Sequence, residues 1–314
     1  MRILHLWTHF NDTITNGFKS IFEDTNETFV SYRHTAKSIT AGLIKDGKID
    51  FIISSVNEVL SDIPVDVING LDVPVLLLGN LYNTEHLSKM SRDNIENLNK
   101  CVLWSPSRKT DIVQYIDNFN CANIIDYKYY DTDLEYKISF AQSHWNCSGH
   151  MAKYAYPLLL EFSDSHWVSG NHNFAQLGFG WKPELDKEKV SRVISSSSVS
   201  PIVDNNDVLS EAYFNAAICG GIVVTNNSSA LSLGSPFDQW IGKCPHSFSY
   251  LCRKAIDLSL DERKDIIKQQ IKIVSERYTY HDVLCKVYEK FGIGTEKIIK
   301  NKEKHLKRIN KCMK

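Results

Sequence analysis

Short apolar segments alternate with helical segments along the first third of the chain, and this alternation restricts the fold more than any other feature. The apolar segments predict strands at residues 2–8, 29–34, 50–56, 73–79, 101–105 and 123–126. Between them, apolar residues at helical spacing predict helices at residues 17–23, 37–46, 92–99 and 108–118. Strands that alternate with helices in this way are typical of a parallel, doubly wound sheet.

A second strand–helix series follows the acidic, aromatic stretch Asp126–Tyr136, where we place a domain boundary. It predicts strands at 137–141, 166–169, 200–203 and 222–225, and helices at 150–162, 184–195 and 210–219. The predicted fold class is therefore α/β, with two Rossmann-like domains facing across a cleft. We assign residues 1–135 to the first domain, 136–294 to the second and 295–314 to a basic C-terminal tail. Ligands of open α/β sheets bind in such clefts.

The segment Val199–Asn227 is the most informative part of the second series. A short strand ends in the polar turn Asp204–Asp207, a helix begins near Asp207–Ser210, and Gly220–Gly221 ends that helix before another buried strand. A helix that begins at the carboxyl end of a parallel strand presents unpaired N–H groups and a positive dipole end. This arrangement predicts an anion site for a phosphate.

Three polar side chains of this segment lie on one face of the predicted helix. Asp207, Glu211 and Asn215 follow one another at a spacing of four residues, so they could bind hydroxyl groups such as those of a ribose. The alternative is an ordinary α/β crossover whose acidic face is solvated.

Segments in three places resemble GT-B glycosyltransferases, and more narrowly the CgeB-like group. Residues around Ala216–Gly220 resemble the "fEAlAcGa" core, Gln176–Trp181 resembles the Gly-x-Gly-Trp segment that precedes it, and Glu276–His281 resembles the closing "HTYxhR" helix. The resemblance covers roughly Lys137–Phe291. It implies a hexosyl- or pentosyltransferase that binds a nucleotide sugar mainly through its second domain and needs no further cofactor.

The resemblance also assigns roles to individual residues. Asn215 stands where the family has its ribose-binding glutamate, and Asp207 stands where retaining members have an earlier glutamate. Both residues differ from the family pattern, which leaves inversion and retention open. Trp181 closes the Gly-x-Gly-Trp segment and joins the predicted donor-binding residues, together with Ser210 and Glu211.

The loop Gln142–His150 is the second predicted part of the donor site, because it follows a strand and precedes a helix. Ser143, His144 and Gly149 would approach the diphosphate, and Lys153 lies in the first helical turn. The histidines of this loop and Cys147 have the spacing of half a zinc site, but no fourth ligand is evident, so we predict no metal.

A catalytic base is expected from the first domain. His9 and Asp12 follow the first predicted strand and precede Gly17, which we interpret as permitting a tight turn. His86 is the next candidate, and a surface role for these histidines is the alternative.

Charge, hydropathy and cysteine content limit the kinds of partner and the cellular location that we expect for this protein. The formal net charge of −1 gives no global attraction to nucleic acid, and no apolar run approaches the roughly 20 residues that span a membrane. The N-terminus lacks the features of a signal peptide, so we expect the cytoplasm of a bacterium or of a phage-infected host cell. The eight cysteines include no C-x2-C pair and are expected to be reduced thiols.

The predicted function is transfer of a sugar from a nucleotide sugar to a hydroxyl of a glycan or protein. No Gly-x-Gly-x-x-Gly follows the first strand, which argues against a dinucleotide cofactor. One alternative is a phage-type enzyme that glycosylates a hydroxylated DNA base, since the composition is that of an AT-rich genome and the C-terminal tail is basic. A non-catalytic nucleotide-sugar-binding protein and a GT-B epimerase are further alternatives.

Overall fold

A computed structural model describes residues 1–7, 13–33, 49–55, 65–78, 96–104, 115–116, 120–141, 149–169, 186–204 and 208–313. The chain divides into two compact units. The first comprises Met1–Phe119 with Tyr280–Lys302, and the second comprises Asn120–Thr279 with Glu303–Lys314. The domain ranges 1–135, 136–294 and 295–314 stay a prediction.

The first unit contains a parallel six-stranded sheet with the order β2-β1-β3-β4-β5-β6. Its elements are β1 (Arg2–Trp7), α1 (Thr13–Asp24), β2 (Thr28–Arg33), β3 (Phe51–Ser55), α2 (Val65–Leu71), β4 (Val75–Leu78), β5 (Cys101–Trp104) and β6 (Tyr115–Ile116). All four residues of β4 and of β5 are buried. Such continuous burial is expected of central parallel strands that are covered on both faces.

Gly17 does not form the tight turn predicted from the sequence, because it lies inside α1. A Cβ atom at this position would be 2.4 Å from the ring of Tyr280. The glycine therefore allows α1 to approach that ring. The neighbouring Phe18 packs edge-on against both Tyr280 and Trp104.

The second unit contains a parallel four-stranded sheet with the order β10-β9-β7-β8. Its elements are β7 (Tyr136–Ala141), α3 (Gly149–Glu161), β8 (His166–Ser169), α4 (Lys187–Ser195), β9 (Ser197–Ile202), α5 (Glu211–Ile218), β10 (Val223–Thr225), two 3₁₀ helices (Ser228–Leu233 and Phe237–Trp240), α6 (Pro245–Ile256) and α7 (Leu260–Arg277). The predicted α/β class with two parallel, Rossmann-like sheets is confirmed.

The end of α5 shows how its glycine pair stops the helix. Gly220 has a φ of 81°, a conformation that favours glycine. Its N–H donates to the carbonyl of Ala217, and the N–H of Gly221 donates to the carbonyl of Ala216. This is a Schellman motif, and it returns the chain to β10.

Two sequence predictions near the end of the first series are wrong. Residues 124–126 form a turn instead of a strand, because the side-chain oxygen of Asn123 accepts the N–H groups of Ile125 and Asp126. The helix predicted at 108–118 is interrupted by β6, whereas residues 108–114 and 117–118 lie outside the described ranges.

The C-terminal residues form α8 (Tyr280–Phe291) and α9 (Glu296–Cys312). The basic tail is thus a helix, and its buried residues recur at helical spacing: Ile298, Asn301, His305 and Ile309. Asn301 accepts a hydrogen bond from His281 at 2.8 Å and donates one to Asp24 at 2.7 Å. No helix in the described part of the chain is long and apolar enough to span a membrane.

Candidate functional site

The strand order of the second unit identifies one end of its sheet as the candidate site. The chain passes from β7 to β8 on one side and then returns to β9 on the other, so the direction of winding reverses between β7 and β9. In open α/β sheets, ligands bind outside the carboxyl ends of the strands at such a switch point. Here β7 ends at Ala141 and β9 ends at Ile202.

Asp204 lies at this switch point, two residues after β9, and the side chain of Asn226 holds its backbone. The N–H of Asp204 donates to Asn226 Oδ1 at 2.8 Å, and Asn226 Nδ2 donates to the carbonyl of Asp204 at 2.9 Å. Asn226 directly follows β10, so this pair of bonds fastens the carboxyl ends of two adjacent strands together. These bonds fix the backbone of Asp204 at the carboxyl end of β9.

The carboxyl group of Asp204 contacts the beginning of α5. Its Oδ2 accepts the N–H of Ser210 at 3.2 Å, and Ser210 is the extended N-cap residue of that helix. The side chain of Ser210 forms no capping bond, so the first turn of α5 is not blocked by its own cap. The positive end of the helix therefore lies beside a carboxyl group at the switch point.

Burial raises the pKa of Asp204 to about 6, and hydrogen bonds from Ser210 and Asn227 oppose part of this effect. Tyr213 of α5 is fully buried, and its hydroxyl has no hydrogen-bond partner among the described residues. Burial and the nearby charge of Asp204 raise the pKa of Tyr213 well above its usual value. The site therefore contains a carboxyl group that titrates near neutral pH beside a neutral phenol.

Asn215 and Glu211 are hydrogen-bonded to each other on α5. Asn215 is only 5% exposed, its Oδ1 accepts the backbone N–H of Asn123 at 2.9 Å, and its Nδ2 donates to Glu211 Oε1 at 3.0 Å. Glu211 is partly exposed. Both ends of the Asn215 amide are thus occupied by protein groups, whereas Glu211 lies closer to solvent.

The second predicted part of the donor site is the loop Gln142–His150 together with Lys153. Of this part, the structure describes the residues from Gly149 onward, which form the first turns of α3. The helix begins at Gly149, and the side chain of Lys153 is exposed. The next residue, Tyr154, is buried and donates its hydroxyl proton to the carbonyl of Lys243 at 3.0 Å. Lys153 is thus exposed to solvent, whereas its neighbour Tyr154 fixes α3 to the backbone of Lys243.

Several predicted site residues lie outside the described ranges: His9, Asp12, His86, Ser143, His144, Cys147, Trp181 and Asp207. Their roles stay predictions. Within the ranges that are described, no group of three histidine, cysteine, aspartate or glutamate side chains has the arrangement of a metal site.

Sequence patterns alone do not indicate the contact between Asp204 and Asn226. The sequence places Asp204 in a polar turn, and its position directly after a predicted strand is the one signal that marks it as a candidate site residue. Asn226 also follows a predicted strand. Their pairing joins residues 22 positions apart, and neither local pattern predicts it.

Some cations of α9 form ion pairs within the protein. Lys297 pairs with Glu27, and Lys302 pairs with Asp282 at 2.6 Å. Exposed cations extend along the rest of the helix at Lys300, Lys304, Lys307, Arg308 and Lys311. Part of the tail's positive charge is thus neutralised within the protein.

Comparison with solved structures identifies the fold. The chain is similar to Anabaena HepE, from a crystal structure in complex with UDP, with a TM-score of 0.61 and 10% identity over 93% of this chain and 100% of HepE. It is also similar to S. aureus MnaA, from a co-structure with UDP, with a TM-score of 0.56 and 11% identity over 94% of this chain and 98% of MnaA. TarM matches with a TM-score of 0.50 and 11% identity over 81% of this chain and 58% of TarM. The chain has the GT-B fold.

The GT-B prediction is thereby confirmed at the level of the fold. No protein-family model matches the sequence, and no curated protein is significantly similar to it. The narrower resemblance to the CgeB-like group stays a prediction.

Proposed function

We propose that the protein is a glycosyltransferase that binds a nucleotide sugar at the carboxyl ends of β7, β9 and β10. The observation that carries this proposal is the polar cluster of Asp204, Ser210 and Asn226 at the switch point of the second sheet. It is supported by the GT-B fold, which the chain shares with two proteins solved with UDP.

The chemistry of transfer matches the groups available at this end of the sheet. The acceptor hydroxyl oxygen forms a bond to the anomeric carbon, and the bond from that carbon to the diphosphate breaks with its electron pair. The N–H groups of the first turn of α5 can stabilise the negative charge that develops on the diphosphate. The acceptor proton passes to a base, for which His9 and Asp12 are our candidates.

Within the donor site, we assign the ribose hydroxyls to Glu211 and the negative charge of the diphosphate to α5 and Lys153. Asn215 stays a predicted donor residue, although its amide bonds are directed to Asn123 and Glu211. The preferred acceptor is a hydroxyl of a glycan or protein.

A thermal-shift screen against UDP-, GDP-, TDP- and CMP-linked sugars tests the proposal, followed by analysis of products from a radiolabelled donor. We expect stabilisation by at least one of them and release of free nucleotide. Glu211→Ala should weaken donor binding by about 1–3 kcal/mol, since the ligand hydroxyls lose a charged partner. The exposed Glu289 of α8 provides the matched control, Glu289→Ala. Absence of a shift with every donor would refute the proposed function.

The exposed cations of α9 favour DNA as a second candidate acceptor. Full removal of this helix would also remove buried residues such as Ile298 and Ile309, so charge substitution is the better test. Replacing Lys300, Lys304, Lys307 and Lys311 with alanine should lower the slope of log affinity against log salt by about 3–4 if these residues contact phosphates. Duplex binding that is absent, or has the same salt slope in the variant, excludes this use of α9.

A further inference from the structure

The carboxyl group of Asp204 occupies the place where the proposed function requires a diphosphate to approach. Its Oδ2 accepts the N–H of Ser210 at 3.2 Å, at the end of α5 where helix amides attract anions. The backbone of Asp204 cannot move away easily, because both of its polar groups are bound by Asn226. Two anions, the carboxylate and the diphosphate, would therefore compete for the same helix end.

The groups that face Asp204 would do little to stabilise its negative charge beside a second anion. Ser210 of α5 and Asn227 after β10 are neutral donors, and Tyr213 is a buried phenol whose hydroxyl has no hydrogen-bond partner among the described residues. Glu211 follows Ser210 in the chain and is itself acidic. No cationic side chain of the described residues contributes to the pKa of Asp204.

We propose that Asp204 takes up a proton when the diphosphate of a nucleotide sugar binds, so that donor affinity falls as pH rises. This inference rests on the proposed function. Protonation removes the repulsion between the two anions, and the neutral carboxyl group gains an O–H donor that can point to a phosphate oxygen. Asp204 is in this sense a positioning residue, because its protonation state determines whether an anion can bind at the N-terminal end of α5.

The pH range over which donor affinity changes follows from the pKa of Asp204 in the free and in the donor-bound protein. The pKa of Asp204 is about 6 without ligand, so the residue is mostly ionised at neutral pH. An adjacent anion raises that pKa further, and protons are taken up between the two values. If only the protonated form admits the diphosphate, affinity falls by about eightfold between pH 6.5 and 7.5.

Isothermal titration calorimetry with a nucleotide sugar measures this proton uptake directly. The probe is UDP-glucose, or the nucleotide sugar that gives the largest shift in the thermal screen, because its phosphodiester groups do not titrate near neutral pH. Titrations at pH 7.0 in PIPES, MOPS and imidazole give the number of protons from the slope of binding enthalpy against buffer ionisation enthalpy. A second series from pH 5.5 to 8.0 gives affinity against pH.

The expected result is uptake of about 0.5–1 proton by the wild-type protein at pH 7.0, and no uptake by Asp204→Asn. The control Asp257→Asn, at an exposed residue after α6, should behave as the wild type. Zero uptake with a pH-independent affinity in the wild type would overturn the inference, as would undiminished uptake in Asp204→Asn. If no nucleotide sugar binds the wild type at any pH, the proposed function fails and the inference fails with it.

A second variant keeps the inference testable if Asp204→Asn does not fold. The Asn227 side chain lowers the pKa of Asp204, so Asn227→Ala should move the midpoint of the affinity curve to higher pH. This shift of midpoint is separate from any uniform loss of affinity caused by the missing amide. An unmoved midpoint in a folded Asn227→Ala protein would contradict a role for Asp204.

Discussion

Replacing Asn215 with alanine should destabilise the second unit, because both ends of its buried amide are hydrogen-bonded within the protein. Loss of Oδ1 leaves the backbone N–H of Asn123 buried without its partner, and loss of Nδ2 removes a bond to the Glu211 carboxylate. An unpaired buried donor costs about 1–3 kcal/mol, and together the two losses should cost about 2–4 kcal/mol. A loss of 2 kcal/mol corresponds to a fall in Tm of about 4–8 °C in a unit of this size.

Asn215→Asp separates the two halves of this network. The aspartate retains an oxygen for the N–H of Asn123 but places a second carboxylate where Nδ2 lies, 3.0 Å from Glu211 Oε1. Two carboxylates this close must share a proton, so the folded-state pKa of the pair rises above its unfolded value. Stability is then fully present at acidic pH and is lost as pH rises through the raised pKa. We expect the variant to be least stable at pH 8 and to recover by pH 5.

Urea unfolding of both variants at pH 5 and pH 8, in the absence of nucleotide, measures these effects. Asn310→Ala is the matched control, because Asn310 is an exposed asparagine of α9. The reasoning is refuted if Asn215→Ala unfolds at the same urea concentration as the control. It is refuted equally if Asn215→Asp shows the same stability relative to the wild type at both pH values.

Two further predictions concern packing. Arg263 is 5% exposed and donates hydrogen bonds to the carbonyl groups of two β9 residues. Arg263→Met should therefore destabilise the protein by about 2–4 kcal/mol, measured by urea unfolding. The control Lys264→Met, at an exposed neighbouring residue, should have little effect in the same assay. Gly17→Ala should cost about 1–3 kcal/mol, since its Cβ would lie 2.4 Å from the Tyr280 ring. If this cost is steric, it should be smaller in a Tyr280→Leu background than in the wild type, and an equal cost in both backgrounds would contradict a steric origin.

The second sheet was predictable because its strands are compact apolar runs bounded by turn residues. The strand predicted at 137–141 is β7 at Tyr136–Ala141, and the helix predicted at 210–219 is α5 at Glu211–Ile218. The glycine pair at 220–221 marked the end of α5 correctly, because glycine adopts the left-handed conformation that ends a helix at little energetic cost. Local patterns were sufficient wherever local chemistry determined the structure.

The failures occur where a side chain competes with the backbone or where partners are distant in sequence. At 123–126, the apolar pair Ile124–Ile125 lies in a turn, because the Asn123 side chain binds the N–H groups of Ile125 and Asp126. The two-residue strand β6 is too short to produce an alternating pattern. The site residue Asp204 depends on Asn226 and on Ser210, and no single segment of the sequence contains all of these contacts.

The contacts of Asn215 bear on which side chain of α5 would meet the ribose of a nucleotide sugar. A ribose-binding glutamate is expected there from the resemblance, but the observed amide both accepts from a backbone N–H and donates to Glu211. An ionised glutamate can only accept, so it could not make the second bond and would instead repel Glu211. Asn215 is therefore suited to orient Glu211, which lies one helical turn earlier and is more exposed. If Glu211 contacts the ribose as we propose, Glu211→Ala should reduce donor affinity more than Asn215→Ala when both variants are compared under conditions where each is folded.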